Sequence, residues 1–412
     1  MSFRLHIWQF ITCCIITLAI LFWAGDTFSP AQVSIDFTAW KDPKIADNIA
    51  ERVKYMLERD FRNVTDTARE ELLTQTLSAL KDIVSDTQVV PSTRYNAILA
   101  AGQLVSQPGN PPVAYPPALP YLMAAYQMPD TPHFLKYGAL LGIVRHALCG
   151  IDSHQRDKVI DILLETVTTE FESGEETLEP AVWNWVRLSA LDGLSALKTV
   201  GTNNEVVARL LSVIDRKARE LEEIGNSQET FLQEHWKQTR RMIELASKAA
   251  KTLGDLDYKT ATNIDDNKMT DSFVMLTKAV CDVESKIATD AIERKDIISD
   301  SALLLEQVVI DLKIGIQSIA WGIRGDLLTR SRPAEHSFYA SLERESSATN
   351  RLDILVSNIM TLATFFDEGD GTKRQPLGEH APKAFKFDIS ELRGALVKCS
   401  EALAKMQHEA PQ

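Results

Sequence analysis

"RYNAILA", Arg94–Ala100, has two partners further along the chain, "KYGALLG", Lys136–Gly142, and "RLSALDG", Arg187–Gly193. The three align without gaps as a base, an aromatic residue or Leu, a small residue, Ala, Ile or Leu, any residue, and a small residue. Helices approach closely only where side chains are short, which gives Ala97 and Ala100, Gly138 and Gly142, Ser189 and Gly193 a packing role. Ala97, Ala139 and Ala190 are expected to mark the tightest crossing of each unit. Pro91, Pro132 and Pro180 stand just before the runs, where a first-turn proline starts a helix, and Thr131 is placed to cap the second.

Between the runs lie amphipathic patterns. "TAREELLTQTLSALKDIV" puts Leu73, Leu77 and Leu80 on one face. "DKVIDILLETV" and "NEVVARLLSVI" do the same with Ile160, Leu163, Leu164 and with Val207, Leu210, Leu211, Ile214. Apolar residues recur at spacings of three and four with no sustained alternation, so the reading is all-α.

Two helices repeating every 40 to 50 residues, with a basic residue and a small-residue seam in the second, resemble the HEAT and armadillo class of helical repeats over residues 65–255. The resemblance implies an α-solenoid whose second helices, those holding Arg94, Lys136 and Arg187, line a concave partner-binding face. Recognition then falls to residues opposite the small-residue seam. A fourth unit around "RRMIELASKAAKTLG" matches only at Arg241, Leu245 and Ala246.

Six prolines between Pro108 and Pro120 predict an extended, stiff inter-repeat loop. The polar stretch Asp255–Ser272 is read as a boundary. Beyond it, over 271–408, four long helical patterns predict a four-helix-bundle-like domain. One of them, "SALLLEQVVIDLKIGIQSIAWGI", is apolar on nearly every side and is expected to be the central, mostly buried helix. A connection of about twenty residues, "DEGDGTKRQPLGEHAPKAFKF", is expected to be mobile.

The N-terminus carries the most specific local signal. Arg4 precedes the apolar run Ile7–Gly25, long enough at about 1.5 Å per residue to approach the ~30 Å hydrocarbon thickness. Residues 1–31 are therefore a cleaved signal peptide, with Ser29 and Ala31 where a signal peptidase wants small residues, or a retained transmembrane anchor. Residues 32–64 form a linker and leading helix. Arg4 before the run and Asp26 after it send the body across the membrane, to an extracytoplasmic (periplasmic or secreted) location.

Cys149, Cys281 and Cys399 are far apart and odd in number, which is no disulfide framework. They read as buried small hydrophobes. A net charge of -13 disfavours nucleic acid.

Chemical signatures are few. The sequence holds no Gly-rich phosphate loop, nucleophile elbow, His-Glu-x-x-His or Cys-x-x-Cys, and no cofactor is implied. His146 and Cys149, three apart near a helix end with Asp152 and His154 just beyond, are weak metal candidates. Asp367, Glu368 and Asp370 in "DEGDG" lack the alternating ligands of a calcium loop. Glu175 with Glu176, or Asp265 with Asp266, serve acid–base chemistry only if converged in a cleft. The expectation is a noncatalytic extracytoplasmic scaffold or adaptor that binds a protein partner and assembles with itself or another chain. The alternative is a helical-cleft enzyme or ligand-binding protein using clustered carboxylates or a His/Cys site.

Overall fold

The computed structural model describes Val53, Tyr55 and residues 65–170, 179–227, 233–261, 263–293, 301–326, 333–342, 346–367 and 389–408. The leader 1–31, the pair Glu175 and Glu176, and Glu368 and Asp370 with the connection that follows lie outside the described residues. Among the described residues the chain is all-α, with 13 α-helices and one small β-hairpin. None of these helices is long and apolar enough to cross a membrane.

The helices form in pairs. The first pair is α1 (Asp66–Ser85) and α2 (Pro91–Gly102). Thr65 starts α1 by accepting from the Ala68 amide, and Leu73, Leu77 and Leu80 bury its apolar face as the periodicity predicts. Pro91 opens α2 without side-chain capping. The proline-rich stretch is a hairpin rather than a simple extended loop: β1 (Val105–Gln107) pairs antiparallel with β2 (Val113–Ala114). Tyr115, fully buried just after it, anchors the hairpin by donating to Glu70 on α1 (3.1 Å).

The second and third pairs are α3 (Ala118–Gln127) with α4 (His133–Cys149), and α5 (Ser153–Thr168) with α6 (Pro180–Leu197). Thus "RYNAILA", "KYGALLG" and "RLSALDG" fall on α2, α4 and α6. Pro132 takes the position flanking α4, and the Thr131 side chain does not cap it. The pairing continues with α7 (Glu205–Asn226) and α8 (Gln233–Asp255), then α9 (Asp266–Glu293) and α10 (Ser301–Arg324). A short α11 (Phe338–Ser341) leads to α12 (Ser347–Asp367) and α13 (Ile389–His408).

Two layers result. In the even layer α2, α4, α6, α8 and α10 pack each on the next. The contacts run in step: Gly102 meets Gly142, Asn184 meets Glu244, Ser195 meets Asp255, and Arg240 meets Asp311, so neighbouring helices are parallel. In the odd layer Lys81 on α1 sits over Tyr121 on α3, Tyr126 on α3 bonds Thr166 on α5, and α5, α7 and α9 follow in order. The chain closes with α12 against α10 and α13 against α9.

The small-residue seam is where the sequence places it except at Ser189, which is half-buried and lines the open face, and glycine sets the closest approach. Ala97, Ala139 and Ala190 are fully buried. A Cβ on Gly102 would lie 2.5 Å from the Gly142 Cα, and one on Gly322 would lie 2.3 Å from the Ala250 carbonyl oxygen. A missing Cβ admits backbone against backbone, which even alanine prevents.

Packing does not pause at Asp255–Ser272. Tyr258 fills this turn and donates to the Leu253 carbonyl (3.0 Å), α7 runs along α9, and α8 runs along α10. Buried apolar residues from both sides of the turn belong to one cluster. The expected centre also moves: α9, rather than α10, contacts the other three long C-terminal helices. Ile310 and Ile314 on α10 stay open, 40% and 36% exposed, because the even layer is covered on one side only.

Candidate functional site: the open face of the even layer

The repeated basic residue has a definite task. Arg94 Nε on α2 donates to the Val84 carbonyl near the end of α1 (2.8 Å). Arg187 on α6 holds the Val167 carbonyl near the end of α5 with two donors, Nε at 2.9 Å and a terminal nitrogen at 2.6 Å. Lys136 on α4 reaches the Pro129 carbonyl just past α3 (3.3 Å). The last carbonyls of a helix lack intrahelical partners and carry the negative end of its dipole, so a cation from the next helix satisfies both.

Around Arg187 the cap becomes an ion cluster. Glu170 meets Arg216 (2.6 Å), Lys217 (3.2 Å) and Arg187 (3.9 Å). Burial pushes the Glu170 carboxyl up, but the three cations outweigh it and hold it below its usual range. Burial lowers Arg187 to about 10, partly offset by Glu170. The repeated bases hold the two helices of each pair together and are spent on structure.

The residues left open lie along the same helices. On α6 they are Val182, Trp185, Ser189 and Asp192, spaced by three and four on one face, with Trp185 49% exposed. On α4 Leu141 and Leu148 continue the face. On α8 a narrow stripe runs Lys237, Arg241, Glu244, Lys248, Lys251, Asp255, and on α10 it runs Ile310, Ile314, Trp321. Where α4, α6 and α8 end together they frame a hollow of about 420 Å³, lined by Leu141, Val144, Leu148, Ser189, Asp192, Ser195, Ala196, Lys198 and Asp255. A larger hollow of about 680 Å³ runs along α1, lined among the described residues by α1 alone.

The acids of the framed hollow are already engaged. Lys248 pairs with Asp192. Ser195 donates to one oxygen of Asp255, and Trp321 Nε1 donates to the other (2.7 Å). Lys251 lies over the Trp321 ring at 5.1 Å, within cation–π range. Ser195 and Asp255 form a pair with no imidazole between them, and both carboxylate oxygens are used to orient neighbours. The arrangement is suited to recognition: apolar and aromatic surface beside fixed polar groups and partly exposed cations.

Charge divides between the layers. The five even helices hold eleven Lys and Arg against six Asp and Glu, whereas the five odd helices α1 to α9 hold eleven against eighteen. In a chain of net charge -13 the even layer is therefore locally cationic.

The metal candidates are not gathered. His146 is buried, Cys149 half-buried and His154 exposed. Among the described residues no group of three or more His, Cys, Asp or Glu is arranged to hold a metal ion. Burial, with the Arg145 charge, lowers His146 to about 4, and its Nε2 has no hydrogen-bond partner among the described residues. Asp265 is a helix cap, accepting from the Lys268 amide (2.9 Å) at the start of α9. Sequence reasoning missed Trp185, Trp321 and the α8 stripe, whose signal was the recurrence of charged residues at steps of three and four. No protein family, no curated protein and no solved structure matches the chain.

Proposed function

We propose that the chain is a noncatalytic, extracytoplasmic scaffold, exported or membrane-tethered through residues 1–31, built as a HEAT-like α-solenoid that ends in a bundle of α9, α10, α12 and α13. Its even-layer face binds an acidic segment of a protein partner. The observation that carries this reading is the excess of Lys and Arg in the even layer, with half-buried Arg241 and Lys251 on its open face, Lys251 over the Trp321 ring, and exposed Lys198 at the framed hollow. Complementary charge steers and selects partners, and aromatic side chains supply the contact area at such surfaces. The alternative, an enzymatic cleft with converged carboxylates, is disfavoured by the pairing of Asp192 with Lys248 and of Asp255 with Ser195 and Trp321.

Panning a random-peptide display library against the full-length protein in detergent tests the proposal. Asp- and Glu-rich sequences are expected to be enriched, and their recovery to fall as salt is raised. Failure to recover any peptide contradicts the binding function. Recovery without acidic enrichment contradicts the partner class.

A further inference from the structure

We propose that Cys281 on α9 and Cys399 on α13 are a built cross-link site, closed into a disulfide when the chain folds in the presence of oxidised glutathione. The placement comes from the α9–α13 contact: Ser400 donates to Asp282 across it, so Cys281 and Cys399 each lie one residue from a point where the two helices touch, and both belong to one buried cluster. Both are buried, Cys281 completely and Cys399 to within 4%. The neighbouring Cys399 thiol and burial push Cys281 well above the ordinary thiol range. Cys149, the other free thiol among the described residues, belongs to α4, which packs against α2, α3 and α6.

Two neighbouring thiols in a core pack as small hydrophobes if nothing oxidises them. Here the geometry offers more. The main contacts of α13 are with α9 and α12, and a bond closing so long a loop removes more freedom from the unfolded chain than a short one does.

The folded core withholds both sulfurs, so the chemistry belongs to folding, while they are still accessible. The Cys281 thiolate attacks the disulfide of oxidised glutathione, forms a mixed disulfide and releases one glutathione thiolate. The Cys399 thiolate then attacks the Cys281 sulfur and releases the second. The protein loses two protons and two electrons, and the oxidant becomes two thiols. Occurrence of the bond in the cell rests on the proposed export, because secretory compartments are oxidising, whereas the pairing itself does not.

The test is to unfold and reduce the full-length chain, refold it in detergent with a glutathione redox buffer, and alkylate it without reductant before tryptic digestion and mass spectrometry. The expected product joins Ala279–Lys286 to Cys399–Lys405, roughly 2 Da lighter than the two dithiol peptides together, as loss of two hydrogens requires. Reductant is expected to lower the melting temperature of the refolded protein and to leave that of Cys281→Ala/Cys399→Ala unchanged. Alkylation of both thiols, or a bond from either to Cys149, overturns the proposal. Cell fractionation tests export separately, and its failure leaves the refolding result standing.

Discussion

The first three helix pairs and the next two are packed alike but written differently. In α2, α4 and α6 a base at the start of the run caps the preceding odd helix, through Arg94, Lys136 and Arg187. The end of α7 is capped instead from α9, where Lys286 donates to the Ser227 carbonyl (2.8 Å). With that task moved to another helix, α8 no longer needs the base, and the motif fades while the stacking goes on. The seam behaves oppositely. It is tightest where the motif is weakest, at Gly254 and Gly322, where a Cβ on Gly254 would come within 2.1 Å of the Trp321 carbonyl oxygen. Caps are interchangeable because any nearby cation serves. A backbone crossing is not, because it admits one residue.

The largest expected effect follows from that distinction. Gly322→Val drives side-chain atoms into the backbone of α8 and should cost more than about 3 kcal/mol, read as lost hydrogen-exchange protection in α8 and α10. Near-native protection there would break the claim that α8 and α10 are held by backbone contact.

Caps should grade with burial. Arg187→Met removes two short bonds from a buried guanidinium and leaves the Val167 carbonyl unpaired, for a loss of about 3 kcal/mol in denaturant unfolding. Lys136→Met removes one longer, exposed bond and should cost under about 0.5 kcal/mol. Equal losses would show that the three bases do not share one role.

Acid should separate the two regions by sign. His146 on α4 titrates at about 4 when folded and near 6.5 when unfolded, so the unfolded chain binds the proton first. Stability falls as pH drops from about 6.5 toward 4, by about 2 kcal/mol, and His146→Gln should abolish that loss. Glu284 on α9 is raised well above its usual range, by burial and then by the Asp311 charge. Its contribution is full below the ordinary carboxylate range and is lost as pH rises toward its folded value. Exchange protection measured helix by helix should therefore weaken in α4 on acidification and in α9 on alkalinisation. A common direction in both helices contradicts the assignment.

Much of the fold was legible in residues whose local role matches their global one. Leu73, Leu77 and Leu80 announce α1, Pro91 and Pro180 announce α2 and α6, and the three runs announce the second helix of each pair. The hairpin between α2 and α3 was hidden because a proline-rich stretch signals extension without naming a strand partner. The standing of α10 was hidden for a related reason. An almost wholly apolar sequence says that a helix avoids water, whereas which of its sides remains open depends on how many neighbours the layer provides. Cys281 and Cys399 carried no pairing signal, since 118 residues separate them and only packing of α13 on α9 unites them. The candidate face was the least visible part. Arg94, Lys136 and Arg187 are the bases the repeat offers, yet they serve the scaffold, and the partly exposed cations Arg241 and Lys251 sit on α8, where the repeat has nearly dissolved.

The most direct measurement on that face is the affinity of an acidic peptide recovered by panning, determined against the native protein and against Arg241→Glu/Lys251→Glu over a range of salt concentrations. The account predicts binding at least about tenfold weaker in the charge-reversed protein and a much shallower salt dependence. Unchanged affinity with an unchanged salt slope would contradict it.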